Sequence, residues 1–331
     1  MSSKATFAAE EAVQLAVVER SGFIESRHVG SAVVLGADGE VIRSLGATSA
    51  PIFPRSALKP FQALGVLGSG VELTGTSAVL ATASHTGTPE HVAVVRQLLG
   101  RASLTEDALQ CPADSPADGT ARDALIRSRT AASPIFMNCS GKHAAMLLAC
   151  VQNEWDTQSY LEPDHPVQQR IRDIVERLTA EKISATGVDG CGAPVHAVTL
   201  TGLARGIQKI TTAQESSPFA LFRNAARLTA AVLANGWAIA GPGRPDTVVI
   251  EELGAFSKSG AEGVKVITAP GGITVAVKIL DGDGRAASIV GLRLLVEAGA
   301  LDEEKVAALD LRTSVTGGGR PVGQIRAEFP S

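Results

Sequence analysis

Apolar residues recur with two different periods along this 331-residue chain, every second position near its ends and every three to four in its middle. Near the N-terminus, GSAVVLGADGEVIRSLG sets two β-branched runs around Ala37-Asp38-Gly39. Asp-Gly supplies the positive-φ residues of a tight hairpin, so the two runs are expected to pair. Toward the C-terminus, TVVIEEL, AFSKSG, GVKVITA and GITVAVKILDG are broken by short Gly-rich turns such as GAEG, PGG and DGDG. Separators of that length join only antiparallel neighbours, and the pattern predicts a meander.

The middle reads as helix. In DHPVQQRIRDIVERLTA, Pro166 opens a run with Val167, Ile171, Ile174, Val175 and Leu178 at helical spacing, and ALFRNAARLTAAVLANG ends in the stop signal Asn235-Gly236. After the last meander strand, RAASIVGLRLLVEAGAL is again helical. Sheet from both ends with helices between them predicts an α+β fold, an antiparallel sheet of N- and C-terminal segments packed with helices. Residues 1–331 read as a single catalytic unit, with a sheet layer at about 12–50 and 246–283 and a mainly helical segment at 56–240.

Composition narrows the function. Hydrophobic residues make up 45% and charged residues 19%, a balance suited to a compact core. Thirty basic against 34 acidic residues give a net charge of −4, and no Lys/Arg run follows a phosphate backbone, which argues against nucleic acid as a partner. Glu10, Glu11 and Glu19 interrupt the opening apolar residues, and there is no uninterrupted apolar run of about 18 residues. The expectation is a soluble cytoplasmic protein without a membrane partner. Four scattered cysteines, Cys111, Cys139, Cys150 and Cys191, are expected to be reduced.

No dinucleotide, P-loop or H-E-x-x-H signature is present. Three short elements remain in chain order: Ser56-x-x-Lys59, Ser84-His85-Thr86 and Lys258-Ser259-Gly260. The order resembles S-x-x-K, S-D-N and K-T-G of penicillin-binding proteins and class A β-lactamases, with a departure at the second element. A serine hydroxyl attacks well only when a neighbour takes its proton, and a lysine does so once burial or nearby cations, such as Arg55 and a second lysine, lower its pKa. Pro60 conflicts with a helix beginning at Ser56, so either the helix starts later or its first turn is distorted. Lys258 is preferred over Lys265 and Lys278 because Ser259-Gly260 follows it. MNCSGKHAAML brings Cys139, Lys142 and His143 together, and GVDGCGAPVHAV adds Asp189 and Cys191. Two cysteines with polar neighbours could form half of a metal site, and their spacing leaves that open.

Taken together, PRSALKPFQ, ATASHTGTPEHV, NCSGKHAAML, DGCGAPVHA and KSGAEG resemble the Rhizobium-type (class 3) L-asparaginases from about residue 15 to the C-terminus. The resemblance implies a fold like that of serine β-lactamases and glutaminases, a homodimer, and release of ammonia from L-asparagine. It implies two Ser-Lys tandems, Ser56 with Lys59 and Ser84 with Lys258, of which Ser56 is the expected nucleophile and Ser84 the alternative. It further implies a zinc ion held by Cys139, Lys142 and Cys191, with Asp189 and Arg55 toward the substrate. Thr88 departs from the glutamate expected in many members. The competing expectations are a glutaminase or penicillin-interacting hydrolase on the same fold, and a non-catalytic zinc-binding scaffold.

Overall fold

The computed structural model describes residues 5–330. The chain opens with β1 (Val13–Arg20), β2 (Phe23–Leu35) and β3 (Val41–Leu45). A small antiparallel sheet follows, in the order β4-β6-β5, from β4 (Pro51–Ile52), β5 (Ala185–Val188) and β6 (Pro194–Thr199). The chain returns to the main sheet through β7 (Phe256–Gly260), β8 (Val264–Thr268) and β9 (Thr274–Ile279), then β10 (Ser314–Gly317) and β11 (Arg320–Ala327). The main sheet runs β10-β11-β1-β2-β9-β8-β7, antiparallel throughout, with β3 also on β2.

The expected hairpin is β2–β3: Gly36 N–H donates to Glu40 O at 2.8 Å, and Gly39 takes φ +86°. The long β2 holds the sheet together, because its later residues also pair with β9, from Gly30 opposite Ile279 to Leu35 opposite Thr274. The two ends of the chain therefore share one sheet, as the hydrophobic pattern predicts.

Helices fill the middle: α1 (Lys59–Leu67), α2 (Gly75–Thr82), α3 (Pro89–Arg101), α4 (Gly119–Arg127), α5 (Ser140–Gln152) and α6 (Pro166–Thr179). After the small sheet come α7 (Leu200–Thr211), α8 (Ala220–Ala234), α9 (Trp237–Ala240) and α10 (Pro245–Leu253), and beyond β9 lie α11 (Ala287–Glu297) and α12 (Glu303–Ala307). Strand alternation divides the core between two faces. Val33 and Leu35 of β2 pack with Ile207 of α7 on the side of the helical body, while Ala32 and Val34 pack with Val290 and Leu294 of α11 on the other.

One expected strand is a helix. TVVIEEL reads as extended from Thr247, Val248, Val249 and Ile250, but these residues lie in α10. Stronger local signals decide: Pro245 starts the helix, Asp246 is in its first turn, and Gly254 closes it at φ +60°. The sheet also extends past residue 283, where the pattern ends it. In β11 only Ile325 is buried, so β10 and β11 carry little of the alternation that marks a strand.

Candidate active site

The first site residues come from a turn between β4 and α1. Arg55 has φ +53°, a left-handed conformation that costs a non-glycine residue free energy, and Arg55–Leu58 form a 3-10 turn before α1 begins at Lys59. Pro60 thus sits in the first turn of α1, where its missing N–H costs nothing. The later start removes the conflict seen in the sequence. It also swings Lys59 inward, where it is fully buried, and Lys59 Nζ lies 2.5 Å from Ala83 O and 2.9 Å from Ser84 Oγ. The half-buried Ser56 hydroxyl makes no hydrogen bond among the described residues. The implied Ser56–Lys59 tandem is accordingly not a hydrogen-bonded pair; the lysine amine meets Ala83 O and Ser84 Oγ just beyond α2 instead.

Ser84 follows α2 in extended chain, fixed by its N–H to Ile239 O at 2.8 Å. Its Oγ is 3.0 Å from Lys258 Nζ, so one hydroxyl lies between two lysine amines. Lys258 reaches it because Phe256 and Lys258 share the face of β7 that looks at the helical body. Gly260 lets β7 come this close to the turn bearing Ser56: a Cβ there would stand 2.2 Å from Pro54 O. Burial pushes the Lys258 amine down to about 7, with Lys59 and Lys265 acting in the same direction against the carboxylate of Asp246. Of the three meander lysines, Lys258 alone bonds to Ser84 among the described residues. Lys265 pairs with Asp246 at 2.5 Å, and Lys278 donates to Glu262 O and Ile279 O at 2.6 and 2.8 Å.

Behind β7 lies a polar network that the sequence reading does not single out. Asp246 accepts from Ser257 Oγ at 2.8 Å, Ser259 Oγ at 3.0 Å and Ser259 N–H at 2.9 Å, as well as from Lys265. Burial would raise its carboxyl pKa, but Lys265 and Lys258 outweigh that and hold it well below the usual range. Its signal in the sequence is Arg244-Pro245-Asp246, a helix start.

Arg55 Nε meets Asp189 Oδ1 at 2.7 Å, and Arg55 also lies 3.8 Å from Glu262. Asp189 sits at the head of a tight loop closed by its N–H to Ala193 O and by Gly192 N–H to its own carbonyl. That loop carries Cys191 to α5, where Lys142 Nζ lies 3.1 Å from Cys191 Sγ. Cys139, Lys142 and Cys191 are all buried. The neighbouring Cys139, whose thiol donates to Asn138 Oδ1 at 2.8 Å, outweighs burial and, aided by Lys142, pushes the Cys191 thiol well down. His143 donates or accepts at Tyr160 OH through Nδ1, 2.7 Å away, and its buried Nε2 has no hydrogen-bond partner among the described residues.

Among the described residues no group of three His, Cys, Asp or Glu side chains is arranged for a metal ion. Two cysteine sulfurs and the Lys142 nitrogen are nevertheless donors of a kind that suits zinc, and would hold it once deprotonated. The amine must first lose its proton, which the neighbouring sulfurs oppose; against burial they raise the Lys142 pKa. His85 and His91 stack with ring centroids 5.1 Å apart; His85 Nε2 contacts Ser140 Oγ at 2.9 Å. Thr88 caps α3, its hydroxyl 2.9 Å from His91 Nδ1, which gives the departure from glutamate a structural use.

Solved structures similar to this chain include Mglu in its glutamate form, at 14% identity and TM-score 0.46, covering 82% of this chain and 60% of that one. A β-lactamase from Mycobacterium bovis is 14% identical with TM-score 0.42, over 82% of this chain and 95% of its own. A Bacillus glutaminase is 12% identical with TM-score 0.37, over 82% and 91%. The chain thus spans about 60% of the Mglu chain's length. No curated protein sequence matches. The profile of L-asparaginase II, in contrast, matches residues 16–327, and the chain belongs to the L-asparaginase II family.

Proposed function

We propose that the protein hydrolyses the side-chain amide of L-asparagine to L-aspartate and ammonia through a serine activated by lysine. The observation that carries this reading is the Ser84 hydroxyl held 2.9 Å from Lys59 Nζ and 3.0 Å from Lys258 Nζ. With its pKa near 7, Lys258 is available as an unprotonated amine around neutrality. Lys258 takes the Ser84 proton as Oγ attacks the amide carbon, while Lys59 donates toward the same oxygen and orients it. Lys258 then returns the proton to the departing nitrogen, which leaves as ammonia. Water, deprotonated by Lys258, cleaves the acyl ester and restores the Ser84 hydroxyl.

Amino-acid substrates carry one positive and one negative group, and the Arg55–Asp189 pair offers the complement, guanidinium to carboxylate and carboxylate to ammonium. Cys139, Lys142 and Cys191 would hold the zinc ion beside this pair, where it supplies positive charge for orienting the substrate. Elemental analysis is expected to find about one zinc per chain, lost in Cys191→Ala whether or not that variant turns over. The same reading includes a homodimer, with twice the chain mass expected in sedimentation, and a cytoplasmic location, in keeping with four unpaired cysteines.

A second reading assigns attack to Ser56, with Lys59 as its base and Ser84 relaying the proton. It is favoured by the half-buried Ser56 hydroxyl, unbonded among the described residues and three residues before Lys59. Enzyme quenched during turnover and mapped by peptide mass separates the two: an aspartyl adduct on the Ser84 peptide supports the first, on the Ser56 peptide the second. Turnover falls by roughly 10³-fold or more when the attacking serine becomes alanine. Both alanine variants at full activity would overturn serine attack altogether. Parallel ammonia assays with asparagine, glutamine and a β-lactam distinguish the asparaginase from its competitors.

A further inference from the structure

We infer that the buried Asp246–Lys265 pair is a positioning device for Lys258, gripping the β7 backbone so that the Lys258 amine is aimed at Ser84. This rests on the assignment of Lys258 as the base. Alternation places Ser257 and Ser259 on the opposite face of β7 from Lys258, and both hydroxyls donate to Asp246, at 2.8 and 3.0 Å. Ser259 N–H donates to the same carboxylate at 2.9 Å, while Ser259 O accepts from Lys258 Nζ at 2.9 Å. One residue is thereby held on one side by Asp246 and holds the base on the other. Lys265, opposite Ser259 in the β7–β8 pairing, closes the arrangement with its 2.5 Å contact to Asp246.

The cluster has no role in the bare fold that demands ions. A buried ion pair is weak as a source of stability, since apolar residues of similar size commonly serve as well. Its geometry is spent instead on the two serines flanking one lysine. Lys265 and Lys258 outweigh the burial of Asp246, so the carboxylate stays charged and the grip stays closed. The charged and titratable groups that act on Lys258 are Asp246 of α10, Lys59 of α1, Cys139 just ahead of α5, and Lys265 of β8. Of these, Asp246 is the largest influence favouring the protonated amine.

The test compares pH profiles of Asp246→Asn and Lys258→Met with the native enzyme. Asp246→Asn is expected to lower kcat by about 10- to 100-fold with KM little changed, because a base displaced by an ångström loses that much. Its acid limb in kcat/KM should move down by about one pH unit, since an anion favouring the ammonium is gone. A kcat within twofold of native, or an unmoved limb, overturns the inference. Should Asp246→Asn not fold, Asp246→Leu combined with Lys265→Met keeps the core filled without ions, and the same two readouts decide. Lys258→Met separates the layers: if it retains turnover, the base assignment falls, whereas its inactivity beside an unaffected Asp246→Asn removes only the positioning role.

Discussion

On the proposed mechanism, with Lys258 as the base, a single amine sets the pH response of the site. Because Lys258 must shed its proton to act and is held near 7, kcat/KM should rise through an acid limb centred near neutrality. A pH profile with ammonia detection checks this; a limb below about pH 5 would point to a carboxylate base instead. Asp246 works in the opposite sense. Its carboxyl pKa is depressed in the folded protein, so its contribution to stability is complete above the ordinary aspartate value of 3.8 and is lost as pH falls further. Denaturant midpoints measured downward from about pH 4 should fall more steeply in the native protein than in Asp246→Asn. At this scale the sequence displays Ser84, Lys258, Asp189 and the two cysteines, because each stands in a short motif. It does not display which groups touch: that Lys59 bonds to Ser84 depends on α1 starting at Lys59, after the 3-10 turn opened by the left-handed Arg55.

Between elements, contact depends on a few places where one backbone nearly touches another. Gly260 is such a place, where β7 meets the turn before Ser56. Gly260→Ala should push strand and turn apart, reducing turnover by about 100-fold. Stability should also drop, by about 1–3 kcal/mol, as thermal and denaturant melts would show; a fully active variant would mean the approach has no part in the site. The glycine is visible in the sequence as the third letter of Lys-Ser-Gly, though its purpose is not. Helix α10 teaches the converse. Four β-branched residues in a row argue for a strand, yet Pro245 and Gly254 bound a segment that packs Val249 and Ile250 to different cores. End signals outweigh propensity when tertiary burial is available to both conformations.

Across the whole molecule, the division into sheet from the two ends of the chain and helices from its middle is legible because periodicity changes abruptly along the chain. The final two strands are not, since an edge with one buried side chain leaves hardly any pattern. They still matter, for β11 covers the edge of β1 from Ala16 to Arg20. Ending the chain after Leu311 should therefore expose that edge and favour self-association, visible as added mass by light scattering; a monodisperse product with unchanged melting would refute this.

The pairing of β2 with β9 also has a consequence in time. On the ribosome, the serine and the first lysine emerge early, while the second lysine and the strand that carries it arrive only near the end of synthesis. A growing chain can acquire its helices and still cleave nothing, and the same delay should separate recovered helicity from recovered ammonia release when unfolded protein is diluted into buffer.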